Sequence, residues 1–245
     1  MTREELREKA NDLPLTPGVY LMMDRTGKVI YVGKAKKLKN RVSQYFQDSA
    51  GHTVKTRQMV AQVDHFDTIF VSSEFEALVL ENSLIKRHSP KYNILLKDDK
   101  GYPFVRLSRE EYPRFSMVNK MAQDSARYFG PFGGRYETRQ ALDAVLAALR
   151  LPTCSRSFPR DIGAERPCLN FHMGRCDGFC RKEMTAEEYR SRIEQAVQLL
   201  EGKSKQLLRD MTAQMEAEAE ALRFEQAAAL RDRINAIGTL AKNRR

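Results

Sequence analysis

The run Gly18–Tyr45, GVYLMMDRTGKVIYVGKAKKLKNRVSQY, decides how the chain begins to fold. Two short apolar runs, Val19–Met23 and Val29–Val32, flank Asp24-Arg25-Thr26-Gly27, a spacing that predicts a strand pair joined by a glycine-containing turn. Alternation sets Tyr20 and Met22 on one face of the first strand, and Val29, Tyr31 and Gly33 on one face of the second. The two phenols then share a surface. Directly after Gly33, Lys34, Lys36, Lys37, Lys39 and Arg41 place five cations in eight residues on what reads as a helix. Lys34, Leu38, Arg41 and Tyr45 fall near one stripe of it. Phenols beside a cationic stripe suit a phosphodiester.

With 245 residues the sequence is long enough for more than one compact unit. It has no run near the roughly 18 consecutive apolar residues of a membrane span. Its start, MTREELREKA, is charged rather than signal-like. A soluble cytoplasmic protein with no membrane contact is the expectation. The formal net charge is +10, and its placement is uneven: residues 1–100 hold 17 Lys/Arg against 13 Asp/Glu, residues 101–182 hold 14 against 8, and residues 183–245 hold 11 of each. A polyanion is expected to meet the first three quarters, and a protein partner the neutral tail.

In chain order, a short helix over residues 1–13 ends before Pro14 and Pro17. Gln47–Thr53 reads as a polar loop, Val54–Val63 as helical and Phe66–Val71 as a third strand. Ser73 and Glu76 form a capping box opening a helix to His88, which Ser89-Pro90 ends. Glu81 in that helix has Ala77, Leu78, Leu84 and Ile85 as its helical neighbours, so its carboxylate needs a partner, either a divalent cation or an arginine. Phe104–Leu107 and Arg114–Val118 suggest strands, Tyr128–Gly134 a turn, and Leu142, Val145, Leu146 and Leu149 a packed helix. Thr185 and Glu188 make a second capping box. Stretches at 203–221 and 224–240 suggest a helical hairpin with more apolar positions than it can bury within itself.

Cys154, Cys168, Cys176 and Cys180 all lie within 27 residues, spaced C-x13-C-x7-C-x3-C. Without an export signal, a metal or cluster site is favoured over disulfides. Four thiolates suit a [4Fe–4S] cluster, while the absence of paired CxxC motifs lowers the case for structural Zn²⁺. His172 is a spare ligand. Arg156, Arg160, Arg166, Arg175, Arg181 and Lys182 surround the segment and suggest contact with DNA. His52, His65 and His88 read as surface or loop histidines.

The paired GVY (18–20) and YVG (31–33), followed by Arg41, Glu81 and Asn93 within LENSLIKRHSPKYN, resemble the GIY-YIG nuclease domain. With the RYFGPF connector, the four cysteines and ALRFEQAAALRD, the order of the whole chain resembles the N-terminal half of the UvrC family, incision subunits of bacterial nucleotide excision repair. That resemblance implies an α/β fold. A small GIY-YIG domain (1–96) with a central antiparallel sheet flanked by helices would be followed by a connector (97–150), a cysteine-ligated segment (151–182), a linking helix (183–202) and a UVR helical hairpin (203–240).

It further implies a site in which Tyr31 orients or deprotonates the attacking water with Tyr20 in support. Arg41 would clamp the phosphate, Lys34 and Tyr45 contribute, and Asn93 shapes the site. Glu81 would be the single protein carboxylate on Mg²⁺ or Mn²⁺. A phenol of pKa ~10 is a poor base, and Lys34 with a Glu81-bound metal is expected to lower that value. By the same resemblance, the cysteines hold iron and sulfur before zinc. The partners are double-stranded damaged DNA and, through the hairpin, UvrB. The family's RNase H-like half and helix-hairpin-helix elements are not in this sequence, which is either a piece of a longer protein or a shortened homologue. The rival function is a DNA- and UvrB-binding adaptor without nuclease turnover.

Overall fold

A computed structural model describes residues 1–48, 51–97 and 101–241, with the side chains of 95–97 left out. The expected loop at Gln47–Thr53 therefore lies partly outside the described residues. The chain forms two compact units, residues 1–102 and 103–244. Among the described residues no helix is long and apolar enough to cross a membrane.

The first unit contains α1 (Arg3–Asn11), β1 (Gly18–Met23), β2 (Val29–Ala35), α2 (Leu38–Phe46), α3 (Val54–Gln62), β3 (His65–Phe70), α4 (Glu74–His88) and α5 (Lys91–Lys97). Its sheet has the order β2-β1-β3, and both pairings are antiparallel. All six residues of β1 are buried, because both faces of the sheet are covered. Tyr20, Met22 and Ile30 pack with Leu38, Val42, Phe46, Met59 and Phe66 on one side, while Val19, Leu21 and Val32 pack with Ala77 and Leu84 of α4 on the other. A strand covered twice carries an unbroken apolar run instead of an alternating one.

Two details of the hairpin differ from simple alternation. Met22 pairs with Tyr31 but Met23 pairs with Val29, so a β-bulge leaves Ile30 extra. The bulge turns Val29 to the α4 side, away from Tyr31, and brings Ile30 to the phenol side. The second difference concerns Lys34. Pairing continues to Ala35 opposite Gly18, so Lys34 sits in β2 opposite Val19 and the helix begins only at Leu38. Backbone pairing with β1 outweighs the helical pattern read from the cations.

Glycine is required twice in this hairpin. A Cβ on Gly18 would come within 2.4 Å of Leu38 Cδ1 and 2.6 Å of the Ile69 carbonyl oxygen. One on Gly33 would lie 2.3 Å from the Tyr20 ring. Both glycines allow close approach. Further along, Ser73 caps α4 by accepting from Glu76 N at 3.0 Å, but the Glu76 carboxylate accepts from Ser72 N at 2.8 Å, one residue before the expected partner. Ser89, at φ 42°, ends the helix in the left-handed region.

The second unit contains β4 (Phe104–Leu107), β5 (Phe115–Val118), β6 (Arg127–Phe129), α6 (Arg135–Ala148), α7 (Leu169–His172), α8 (Ala186–Leu200), α9 (Ser204–Glu220) and α10 (Phe224–Leu240). Its sheet runs β5-β4-β6, antiparallel throughout. The expected turn at Tyr128–Gly134 thus begins as strand, because Tyr128 and Phe129 pair with Arg106 and Val105. Thr185 and Glu188 complete a reciprocal capping box on α8. In the hairpin, Leu207, Met211, Ala227, Leu230 and Ile237 are buried, while Leu222 and Phe224 at its turn are 73% and 64% exposed.

The cysteine segment has structure beyond its thiols. Arg114 donates to the carbonyls of Pro152 at 3.0 Å and Arg156 at 2.7 Å, and its guanidinium lies 4.9 Å from the Phe158 ring centre. Tyr189 meets Tyr112, Phe158 and Phe179 and donates its hydroxyl to the Pro113 carbonyl at 2.5 Å. These aromatic and guanidinium contacts tie residues 151–182 to the surrounding strands and helices.

Candidate active site

Three tyrosines from three elements meet on the α2 side of the first sheet. Ring centres lie 6.2 Å apart for Tyr20 and Tyr31, 5.8 Å for Tyr20 and Tyr45, and 6.3 Å for Tyr31 and Tyr45. Tyr20 is 1% exposed, and its hydroxyl shares a buried 2.8 Å hydrogen bond with that of Tyr45. Tyr20 lies across Gly33, the one neighbour on β2 without a side chain to displace it.

Arg41 reaches this group from α2. Its Nε donates to Tyr20 Oη at 3.4 Å, and its guanidinium carbon lies 5.4 Å from the Tyr45 ring centre. The residue as a whole is exposed, so its inner edge is fixed on phenols while the side chain also faces solvent. The phenol oxygens raise the Arg41 pKa above its ordinary range, so it is a permanent cation.

Burial is the largest influence on the Tyr31 phenol and pushes its pKa well up; Tyr45 and the Glu81 charge push it further, and Arg41 opposes them. Tyr20 is raised in the same way, first by burial and then by Tyr45 and Tyr31. With these protein groups alone the shift is upward, because loss of water around a phenolate outweighs one nearby guanidinium. These side chains are hydrogen-bond donors with their protons in place.

Glu81 is 9% exposed on α4, and its charge is felt at Tyr31. The carboxylate is thus part of the phenol site electrostatically. Among the described residues no three His, Cys, Asp or Glu side chains gather closely enough to hold a metal ion. A single buried carboxylate still fits Mg²⁺, which is commonly held by one or two carboxylates and keeps several waters.

Asn93, 2% exposed on α5, accepts from Val32 N at 2.7 Å and donates to Val32 O at 2.8 Å. It braces the outer edge of β2 between Tyr31 and Gly33. Lys34 is the expected member that the strand register sets apart: it pairs opposite Val19, on the face away from the phenols. His52, which read as a loop histidine, lies with its ring centre 6.5 Å from that of Tyr45; its Nε2 is 2.9 Å from the Gln44 carbonyl and its Nδ1 is buried without a partner among the described residues. No local sequence signal places it there.

In the second unit the four thiols are unequally placed. Cys176 is raised by burial, and the Cys154 charge adds to it. Arg156 is near both Cys180 and Cys154, and its Nη1 is buried without a partner among the described residues. Cys168 caps the short α7 without a side-chain bond. As placed, the sulfurs do not form a ligand set for a metal or cluster.

Comparison with known proteins decides the family. The model for the UvrC-like GIY-YIG domain matches residues 16–94, that for the UvrC/Cho excinuclease middle domain residues 102–199, and that for the UvrB/uvrC motif residues 205–240. The chain belongs to the UvrC family. UvrABC system protein C of Acetivibrio thermocellus is 43% identical over 242 residues, spanning 98% of this chain and 39% of that protein. The same protein of Ruminiclostridium cellulolyticum is 45% identical, spanning 98% and 40%. The chain therefore spans about two fifths of the length of these UvrC relatives. A crystal structure of the GIY-YIG N-terminal endonuclease domain of UvrC from Thermotoga maritima, bound to magnesium as its catalytic divalent cation, is 41% identical and covers 38% of this chain and 99% of that one, with a TM-score of 0.35.

Proposed function

We propose that the chain is the incision module of a nucleotide excision repair nuclease, hydrolysing one phosphodiester 3′ of a lesion in a UvrB–DNA complex. The observation that carries this reading is the convergence of Tyr20, Tyr31, Tyr45 and Arg41, with the buried Glu81 charge acting on Tyr31. Membership of the UvrC family supports it. Water attacks phosphorus in line and the bond to the 3′ oxygen breaks, with a proton passing to that oxygen. Tyr31, protonated, orients the water by hydrogen bonding. Tyr20 and Tyr45 hold it in place, and Arg41 offers its fork to two phosphate oxygens. Glu81 would hold Mg²⁺ or Mn²⁺, which supplies charge stabilisation at the leaving oxygen. Asn93 keeps β2 in register, and Lys34 contributes positive potential from the other face.

In this reading residues 1–96 carry the nuclease, 97–150 connect, 151–182 form the cysteine segment, 183–202 link, and 203–240 bind UvrB in the cytoplasm. The exposed Leu222 and Phe224 support the last assignment. Deleting 203–240 is expected to abolish capture by UvrB. An iron–sulfur cluster, with zinc second, rests on the four cysteines clustered in sequence and on the Cys154–Cys176 proximity. Anaerobic purification decides: a colourless protein with stoichiometric zinc excludes the cluster.

The test of the main reading is metal-dependent nicking of a lesion-bearing duplex with UvrB, wild type against Glu81→Ala. Loss of nicking in the variant supports the metal assignment, and surviving cleavage removes it. No cleavage by the wild type favours the adaptor.

A further inference from the structure

The second unit gathers three arginines around one carboxylate, apart from the phenol site, with Asp177 following Cys176 in the cysteine segment and Arg233 in the C-terminal hairpin. Arg192 on α8 is 7% exposed and donates to Asp177 Oδ2 at 2.6 Å and to the Leu149 carbonyl at 2.7 Å. Arg150, just past α6, approaches the other oxygen, Oδ1, at 3.6 Å, with 43% of its side chain exposed. Arg233 on α10 makes one long contact, 3.5 Å to Gln195 Oε1. It nonetheless feels the charges of Arg192, Asp177 and Arg150.

The formal balance of these four groups is two positive charges in excess. Arg192 is committed to structure by its two short bonds. Asp177 is engaged by Arg192 and Arg150, so it has little left to offer Arg233. Consistent with that, burial and the two neighbouring guanidiniums depress the Arg233 pKa to about 10. A half-buried guanidinium with a single long hydrogen bond is costly to hold, and among the described residues it has no anion of its own.

We propose that Arg150 and Arg233, set against Arg192 and Asp177, form a phosphate-binding site in the second unit. A tetrahedral anion has enough oxygens to accept from two guanidinium forks at once, which one carboxylate already engaged does not. A DNA backbone phosphate is the source that the charge favours: the site itself carries two positive charges in excess, and Arg150 belongs to residues 101–182, which carry 14 Lys/Arg against 8 Asp/Glu. The site joins Arg150 just after α6 with residues of α8 and α10, so an occupied phosphate would couple DNA contact to the seating of the α9–α10 hairpin. It goes beyond the incision reading and is measured without cleavage, so either can fail alone.

The test uses the full chain and the double variant Arg150→Gln, Arg233→Gln, with Arg192 left intact. Melting is followed in inorganic phosphate and in chloride at matched ionic strength, and anisotropy follows binding of a short duplex across a salt series. Phosphate is expected to raise the melting temperature of the wild type and not of the variant. The slope of log affinity against log salt is expected to become shallower by roughly 0.9 for each backbone phosphate that the variant no longer neutralises. An absent phosphate response in the wild type, or an equal one in both proteins, overturns the site. Loss of the phosphate response with an unchanged duplex slope overturns DNA as the source and assigns a free phosphate-bearing ligand.

Discussion

Asn93 hydrogen-bonds both backbone groups of Val32, with its amide standing where a further strand would otherwise pair with the edge of β2. Removing the side chain in Asn93→Ala leaves a buried N–H and a buried C=O unmet, at roughly 1–3 kcal/mol for each group. Urea unfolding of the full chain is expected to show the first unit destabilised by about 2–6 kcal/mol in total. Asn93→Asp restores the acceptor and lacks the donor, so it recovers less than half. A loss below about 0.5 kcal/mol for Asn93→Ala, the range of ordinary surface changes, removes the brace.

Gly33 and Gly238 offer opposite outcomes for the same substitution. Gly33→Ala places a methyl 2.3 Å from the Tyr20 ring, which must leave its place beside Tyr45. Overpacking of this kind costs about 1–3 kcal/mol, and the altered phenol group is expected to abolish nicking. Gly238, inside α10, has nothing within 4 Å of its added Cβ. Gly238→Ala should stabilise by about 0.5–1 kcal/mol through helix propensity. Thermal melts of the two proteins measure both signs.

The buried phenols set an alkaline limit on stability. Tyr20 and Tyr31 have folded pKa values raised above the ordinary value. For an acid raised on folding, the contribution is complete below the unfolded pKa of about 10 and is lost as pH climbs past it, because the unfolded chain releases its protons first. Urea midpoints are expected to hold from about pH 7 to about pH 9 and to decline above about pH 10. Tyr31→Phe should flatten that decline. The nicking rate should show no inflection from these phenols below about pH 10; an inflection near neutrality that Tyr31→Phe removes points to a phenolate base instead.

What the sequence disclosed and what it withheld divide along the range of the forces involved. The two strands, the Ser73 cap and the Thr185–Glu188 box are legible because alternation and cap chemistry act within a few residues. Lys34 reads as helical for the same local reason, and only pairing with Val19 on another strand holds it extended. The bulge at Ile30 leaves no mark in an apolar run where Val29, Ile30 and Val32 are all buried although they take different faces. The phenol pair is foreseeable from alternation. His52 beside Tyr45 depends on where a loop returns. The direction of the Tyr31 shift depends on burial by helices distant in sequence, which charge counting near the residue does not capture.

Arg41 separates the value of a charge from that of a shape. Its Nε is fixed on Tyr20 and its guanidinium lies beside the Tyr45 ring, so the fork is oriented before any ligand arrives. Arg41→Lys keeps the positive charge but loses the planar fork and the Nε donor. If the fork stabilises charge developing on the phosphate, nicking with UvrB should fall roughly 10²–10³-fold, as for removal of one preorganised donor. Folding should change by less than about 1 kcal/mol, since the residue is exposed and gives up a single long hydrogen bond. Single-turnover nicking and a denaturation curve on the same preparation check both halves. Full activity in the Arg41→Lys protein shows that net positive potential suffices there, and the clamp assigned to Arg41 would then have to be given up.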